Sequence, residues 1–186
     1  MPRLLVLGGA NTVFRDAAAA MQLCDFDAVM AVNDMIGVWP DLIDYAVTLH
    51  PEHLHRWMVA RERMQSALPQ VWAHSTQGPN GRVGRRPDRV TSDWAGSSGL
   101  FAVKVGILEG FERIVLAGVP MLPAAGHFFD HNPWSAASHF QAAWIERAPE
   151  ISAHTRSMSG WTAGLLGQPD RAWLNSPEPG QLRGNQ

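Results

Sequence analysis

"GSSGLFAVKVGILEGFERIVLAGVP", residues 96–120, opens on four small residues, runs into an apolar stretch and ends at another turn. The pattern predicts a helix over 98–109 and a buried strand over Arg113–Ala117. Apolar side chains surround nearly the whole circumference of that helix, with Lys104 and Glu109 as polar exceptions, so it must be packed deeply. Helix N-termini present unpaired N–H groups, and a Gly/Ser entrance lets an anion come close to them. Tight helix–sheet packing would call for the same small residues. Both readings stand at the level of sequence.

Outward from this unit the chain alternates strands and helices. "RLLVLGGA" reads as a buried strand, Arg3–Leu7, broken by Gly8-Gly9, with a helix over 12–23 that Asn11 can cap. "DAVMAVND" is a second strand ending at Asn33-Asp34. "DYAVTLHPEH" is a third, stopped by Pro51 ahead of a helix over 53–67, and "QVWAHS" is a fourth. Residues 76–93, rich in Gly, Pro and Arg, read as one long loop. A helix over 135–147, a strand near 151–155 and a short helix after Ser159-Gly160 complete the pattern. Short apolar strands alternating with helices specify an α/β fold: a single three-layer domain around a mostly parallel sheet. That domain is expected over 1–167, with 168–186 as a loosely ordered tail rich in Pro, Gly and Asn.

Composition narrows the function classes. The 186 residues suffice for one domain with a sizeable core. A formal net charge of −2 gives no reason to expect nucleic acid or an anionic membrane as partner. Cys24 is the single cysteine, which suits a reducing, cytoplasmic setting, and no apolar run reaches membrane-spanning length. Lys104 is the single lysine, so no phosphate-binding Gly-Lys-Ser/Thr loop exists. Self-association into a homo-oligomer stays open.

In a parallel sheet ligands bind at the strand carboxyl ends. Those ends here are Gly8-Gly9-Ala10-Asn11, Asn33-Asp34, His50-Pro51-Glu52-His53, Gly118-Val119-Pro120 and the turn after Arg156, joined by Ser97-Ser98-Gly99 at a helix start. They form a rim of small and polar residues suited to a nucleotide.

The run from Ser97 to Gly118 resembles a segment of the bacterial sialyltransferases of glycosyltransferase family 42, in which Thr/Ser-Ser-Gly starts a helix and "Gly-Tyr/Phe-x-x-Ile-x-Leu-x-Gly-x-Asp" follows. The same block resembles the MptE-like archaeal pterin diphosphokinases. Gly8-Gly9-Ala10-Asn11, the stretch from Asp25-Phe26-Asp27 to Asn33, and Met158-Ser159-Gly160-Trp161 fall in matching order. The resemblance implies a Rossmann-like nucleotide-binding domain and metal-independent transfer of a sugar from a CMP-linked donor, with no cofactor required. On that reading Gly8, Gly9 and Asn11 approach phosphate or ribose. Asn33, Ser98, Gly99, Ser157 and Ser159 hydrogen-bond the nucleotide, and His131 is the general base.

This chain departs from the family at named positions. Ala10-Asn11 replaces Pro-Ser, Pro120 stands where the family has Asp, and a chain whose single tyrosine is Tyr45 has no tyrosine pair for the leaving phosphate. Arg85 and Arg86, with Arg82 or Arg89, are the candidate replacements as a phosphate clamp, and His50 is a further substrate contact. Two alternatives remain. A diphosphokinase would need magnesium held by carboxylates such as Asp34, Glu52 and Asp130. A non-catalytic binding or assembly module would keep the fold alone. "HPEH" and "HFFDH" also offer His and carboxylate groups for a metal site, although Pro51 interrupts the helical spacing that a compact two-His site uses. Trp94 and Trp134 flank the rim and are the candidate stacking residues.

Overall fold

Strand β1 (Arg3–Leu7) is buried along Leu4–Leu7, with alternate side chains entering two separate cores. Leu4 and Val6 point into one, Leu5 and Leu7 into the other. A strand apolar on both faces needs cover on both sides, and a parallel sheet supplies the neighbours. The computed structural model describes residues 1–65, 67–82, 84–130 and 132–176. Among these, β1 is joined by β2 (Ala28–Val32), β3 (Tyr45–Thr48), β4 (Gln70–Ala73), β5 (Arg89–Val90), β6 (Arg113–Ala117) and β7 (Thr155–Ser157). The strand order is β5-β4-β3-β2-β1-β6-β7, and every pairing is parallel. The expected α/β sheet is thus present and, among the described residues, wholly parallel. This is a Rossmann-like arrangement with a crossover from β5 back to β6 beside β1.

Helices α1 (Val13–Met21), α2 (Met35–Val38) and α3 (Leu54–Glu62) cover the face that receives Leu5 and Leu7. Helices α4 (Ser98–Leu108), α5 (Ala137–Ile151) and α6 (Gly160–Leu166) cover the other. Helix α4 buries Leu100–Val103, Val105 and Gly106, as its all-round apolar sequence requires. A Cβ on Gly106 would stand 2.8 Å from Leu4 Cδ2 and 2.9 Å from Ile114 Cδ1, so α4 lies as close to β1 and β6 as a helix can.

Several boundaries differ from the sequence reading. β5 lies inside the expected long loop: it pairs Arg89 with Trp72 and Val90 with Ala73, and a two-residue edge strand has no periodicity to detect. Helix α3 stops at Glu62, short of the expected 67, and α2 was not expected. Helix α5 runs on to Ile151, which is fully buried, and this displaces the last strand to Thr155–Ser157. The segment expected to lie loosely from Gln168 is described to Ser176 and carries α7 (Arg171–Asn175), capped by the Asp170 side chain. The buried Arg113 guanidinium donates to the Trp173 and Ser176 carbonyls, and the Trp173 ring lies between Arg113 and Arg156 at 5.1 and 5.2 Å.

Arg61 on α3 is fully buried and donates to the carbonyls of Ile36 (2.7 Å), Trp39 (2.6 Å) and Asp41 (2.9 Å). It closes the open end of α2 and so steadies the connection that follows Asn33. Burial pulls its guanidinium below the ordinary range. Arg61→Met keeps much of the apolar stem but leaves these carbonyls without their donor. We expect a loss of about 3 kcal/mol or more, at about 1–3 kcal/mol per unpaired buried group, read as a lower urea midpoint with an unchanged slope.

Candidate functional site

β1 and β6 are adjacent, yet the chain leaves them for helices on opposite faces, α1 after β1 and α5 after β6. A crevice opens at such a switch point. Its floor is a backbone contact: Gly8 N–H donates to the Ala117 carbonyl at 2.8 Å and Ala10 N–H to the Gly118 carbonyl at 3.1 Å. A Cβ on Gly8 would fall 2.4 Å from the Gly118 oxygen, and Gly118 has φ of +69°. Glycine is required at both.

The crevice is a cleft of about 350 Å³. It is lined by the ends of β1 (Gly8, Gly9, Ala10), β2 (Val32, Asn33) and β3 (Leu49, His50), by residues 96–99 at the start of α4, and by residues 118–122 after β6. Ala125, Gly126, His127, Trp134 and Phe140 close the far wall. Gly8, Gly9, Asn33, His50, Ser98 and Gly99 of the sequence-derived set therefore come together here.

The four residues that open α4 divide their duties. A Cβ on Gly96 would meet Leu100 Cδ2 at 2.6 Å and Ala143 Cβ at 3.4 Å, and one on Gly99 would meet Val119 Cγ1 at 2.8 Å, so both glycines serve close packing. Ser97 caps the helix: its hydroxyl oxygen accepts from Leu100 N–H at 3.4 Å and from the buried Trp144 indole at 3.2 Å. Ser98 faces the cleft. Its oxygen accepts from Asn33 Nδ2 at 3.2 Å, Asn33 Oδ1 accepts from the Thr48 hydroxyl at 2.8 Å, and Thr48 in turn accepts from His50 N–H at 2.7 Å. With its oxygen engaged, the Ser98 hydroxyl is free to turn its proton toward the cleft. Asn33 adopts φ of +53°, a left-handed conformation that Asn tolerates better than most residues.

The glycine turn after β1 is not open in the way a phosphate loop would be. The segment after β6 folds back over it. Asn11 N–H donates to the Gly126 carbonyl, Phe128 N–H donates to the Gly9 carbonyl, and His127 Nδ1 lies 3.1 Å from the same Gly9 oxygen. Asn11 itself is exposed and outside the cleft lining.

Other sequence candidates lie elsewhere. The Ser159 hydroxyl donates to the buried Asp16 carboxylate at 2.5 Å, and the same carboxylate oxygen accepts Gly118 N–H at 3.2 Å. The Ser157 hydroxyl pairs with that of Thr162. These serines tie the β7 turn to α1 and β6. Arg85 pairs with Glu62, Arg86 is exposed, and neither lines the cleft, so no arginine clamp is assembled there among the described residues. His131, the expected base, lies outside the described residues.

Of the carboxylates named for magnesium, Asp34 accepts from Arg56 and the Trp57 indole, Glu52 faces His50 and His53, and Asp130 accepts from Asn132. None lines the cleft. Among the described residues no group of three or more His, Cys, Asp or Glu is arranged to hold a metal ion. Trp94 lies between Lys104 and Arg147, each about 5.5 Å from its ring, while Trp134 does reach the cleft. Tyr45 sits at the opposite end of the sheet, donating to Glu109, and burial pushes its phenol up.

The sequence reading missed the apolar wall of Met121, Leu122 and Phe140 and the role of His127. Proline and glycine in "GVPMLPAAGHFF" mark a loop, but nothing local says that it folds back across β1. The described lining contains no Lys, Arg, Asp or Glu.

The fold and site together define a Rossmann-like α/β domain with its cleft at the switch point of a parallel sheet. No protein-family model, curated protein or solved structure matches the chain. Among the described residues no helix is long and apolar enough to cross a membrane. Asp16→Ala would leave the buried Gly118 N–H unpaired at the cleft floor. A loss of about 1–3 kcal/mol is expected, visible as a lower melting temperature.

Proposed function

We propose that this chain binds a nucleoside monophosphate or a nucleotide-linked sugar in the switch-point cleft, without a metal ion, and transfers the linked sugar to an acceptor hydroxyl. The observation that carries this reading is the start of α4: Ser98 and Gly99 open onto the cleft, and Ser98 is held by the Asn33–Thr48 chain. The first amides of a helix attract an anion. The wall of Met121, Leu122, Trp134 and Phe140 offers an apolar and aromatic surface to a base or the face of a sugar.

Charge favours one phosphate over several. A triphosphate needs several compensating charges, and the described lining offers at most two imidazoles and a helix terminus. The magnesium-dependent diphosphokinase would need carboxylates at the phosphates, and Asp34, Glu52 and Asp130 are turned to other partners. The resemblance to CMP-sugar-dependent transferases points the same way.

Calorimetric titration with CMP, CDP, GTP and ATP, with and without magnesium, tests the proposal. CMP should bind independently of magnesium. Asn33→Gly, which keeps the left-handed backbone at ease while removing the side chain, should weaken it by about tenfold, the worth of one good hydrogen bond. Magnesium-dependent purine triphosphate binding would transfer the proposal to the diphosphokinase. Silence across the whole panel would overturn it.

A further inference from the structure

Thr48 ends β3, is fully buried and does not itself line the cleft. Its hydroxyl oxygen accepts the His50 backbone N–H at 2.7 Å, a group that can only donate. The one hydrogen of that hydroxyl goes to Asn33 Oδ1, 2.8 Å away. With Oδ1 so engaged, the Asn33 amide turns Nδ2 toward Ser98, whose oxygen accepts at 3.2 Å. What the chain has left to offer is the Ser98 hydrogen and the second Nδ2 hydrogen. Every link runs one way, from a backbone amide to the cleft, and the last links are donors.

The Asn33 side chain has a second orientation of nearly the same shape and opposite polarity. Turned over, it would set Nδ2 against Thr48, and the buried Thr48 hydrogen would face an N–H group instead of an acceptor, which is costly. Asn33 Oδ1 would then take the Ser98 hydrogen, and Ser98 would show the cleft only lone pairs. Asn33 alone does not decide between the two. Thr48 does.

We propose that Thr48 is a positioning residue that sets the polarity of this wall, so that the ligand group against Ser98 is an oxyanion, an assignment that rests on the nucleotide reading above for its source, the single phosphate of the nucleotide. The described lining holds no Lys or Arg, so the direction of these neutral dipoles carries the discrimination between an oxyanion and a hydroxyl. Donors fixed in direction before the ligand arrives need no reorganisation on binding.

The full chain is titrated calorimetrically with CMP, cytidine and inorganic phosphate. Thr48→Val, the same shape without the hydroxyl, should weaken CMP about tenfold and leave cytidine within about twofold. Thr48→Ser, which returns the hydroxyl, should bring CMP back to within about threefold of the unaltered chain. Thr48→Val combined with Asn33→Gly should bind CMP no more weakly than Asn33→Gly alone, since the relay is already broken there. Additive losses, equal losses of CMP and cytidine, or a Thr48→Val chain with full CMP affinity would each overturn the assignment. Should Thr48→Val fail to fold, Ser98→Ala decides: about tenfold weaker CMP at unchanged cytidine affinity supports the donor wall, and unchanged CMP affinity overturns it. Phosphate binding that depends on Thr48, with CMP bound no more tightly than phosphate, would remove the nucleotide and keep the oxyanion. Binding of neither would overturn both.

Discussion

The close approach of Gly8 and Gly118 at the ends of β1 and β6 is the constraint on which the rest of the molecule depends. A Cβ on Gly118 would stand 2.5 Å from Val13 Cβ and 2.9 Å from the Gly8 oxygen. With hydrogen alone at both positions, the two strand ends meet backbone to backbone and the chain departs toward opposite layers. The crevice between the departing segments is the cleft. Asp16 locks this arrangement from below, one carboxylate oxygen accepting from Gly118 N–H and from Ser159.

From that junction follows a redistribution of the usual anion-binding groups. The glycine turn of the first strand is overlain by residues 126–128, which occupy the Gly9 carbonyl and the Asn11 amide. Across the cleft stands the start of α4, whose Ser98 and Gly99 form part of the lining. Helix α4 can serve because it is central: its apolar circumference anchors it between sheet and α5, and Trp144 fixes its cap through Ser97. A helix so firmly buried presents its first turn in one orientation, which is what preorganised binding needs.

The charges that could have lined the cleft are spent on architecture. Arg61 closes α2, Arg113 and Arg156 bracket Trp173, and Lys104 and Arg147 bracket Trp94. Buried guanidinium groups suit this task because several carbonyls can accept from one planar fork. Among the described residues, what lines the cleft is apolar surface, amides, hydroxyls and two imidazoles.

The sequence by itself determined the layers. Apolar runs bounded by glycine located β1 and β6 to the residue, because a strand buried on both faces leaves a continuous signal. The Gly/Ser opening of α4 and Asn33 at the end of β2 were legible as rim residues for the same reason: small or turn-forming residues stand out after a buried strand. Tertiary structure alone decided the rest. Whether Ser159 meets a ligand or Asp16 depends on a partner 143 positions away. Whether Arg85 clamps phosphate or pairs with Glu62 depends on where α3 passes. His127 became a cleft residue only because its loop returns across β1 and hydrogen-bonds to Gly9, a contact between residues 118 positions apart. Local pattern encodes burial and turns, since those arise among neighbours in the chain. The partner of a polar side chain is set by the fold, which brings distant groups within hydrogen-bonding reach.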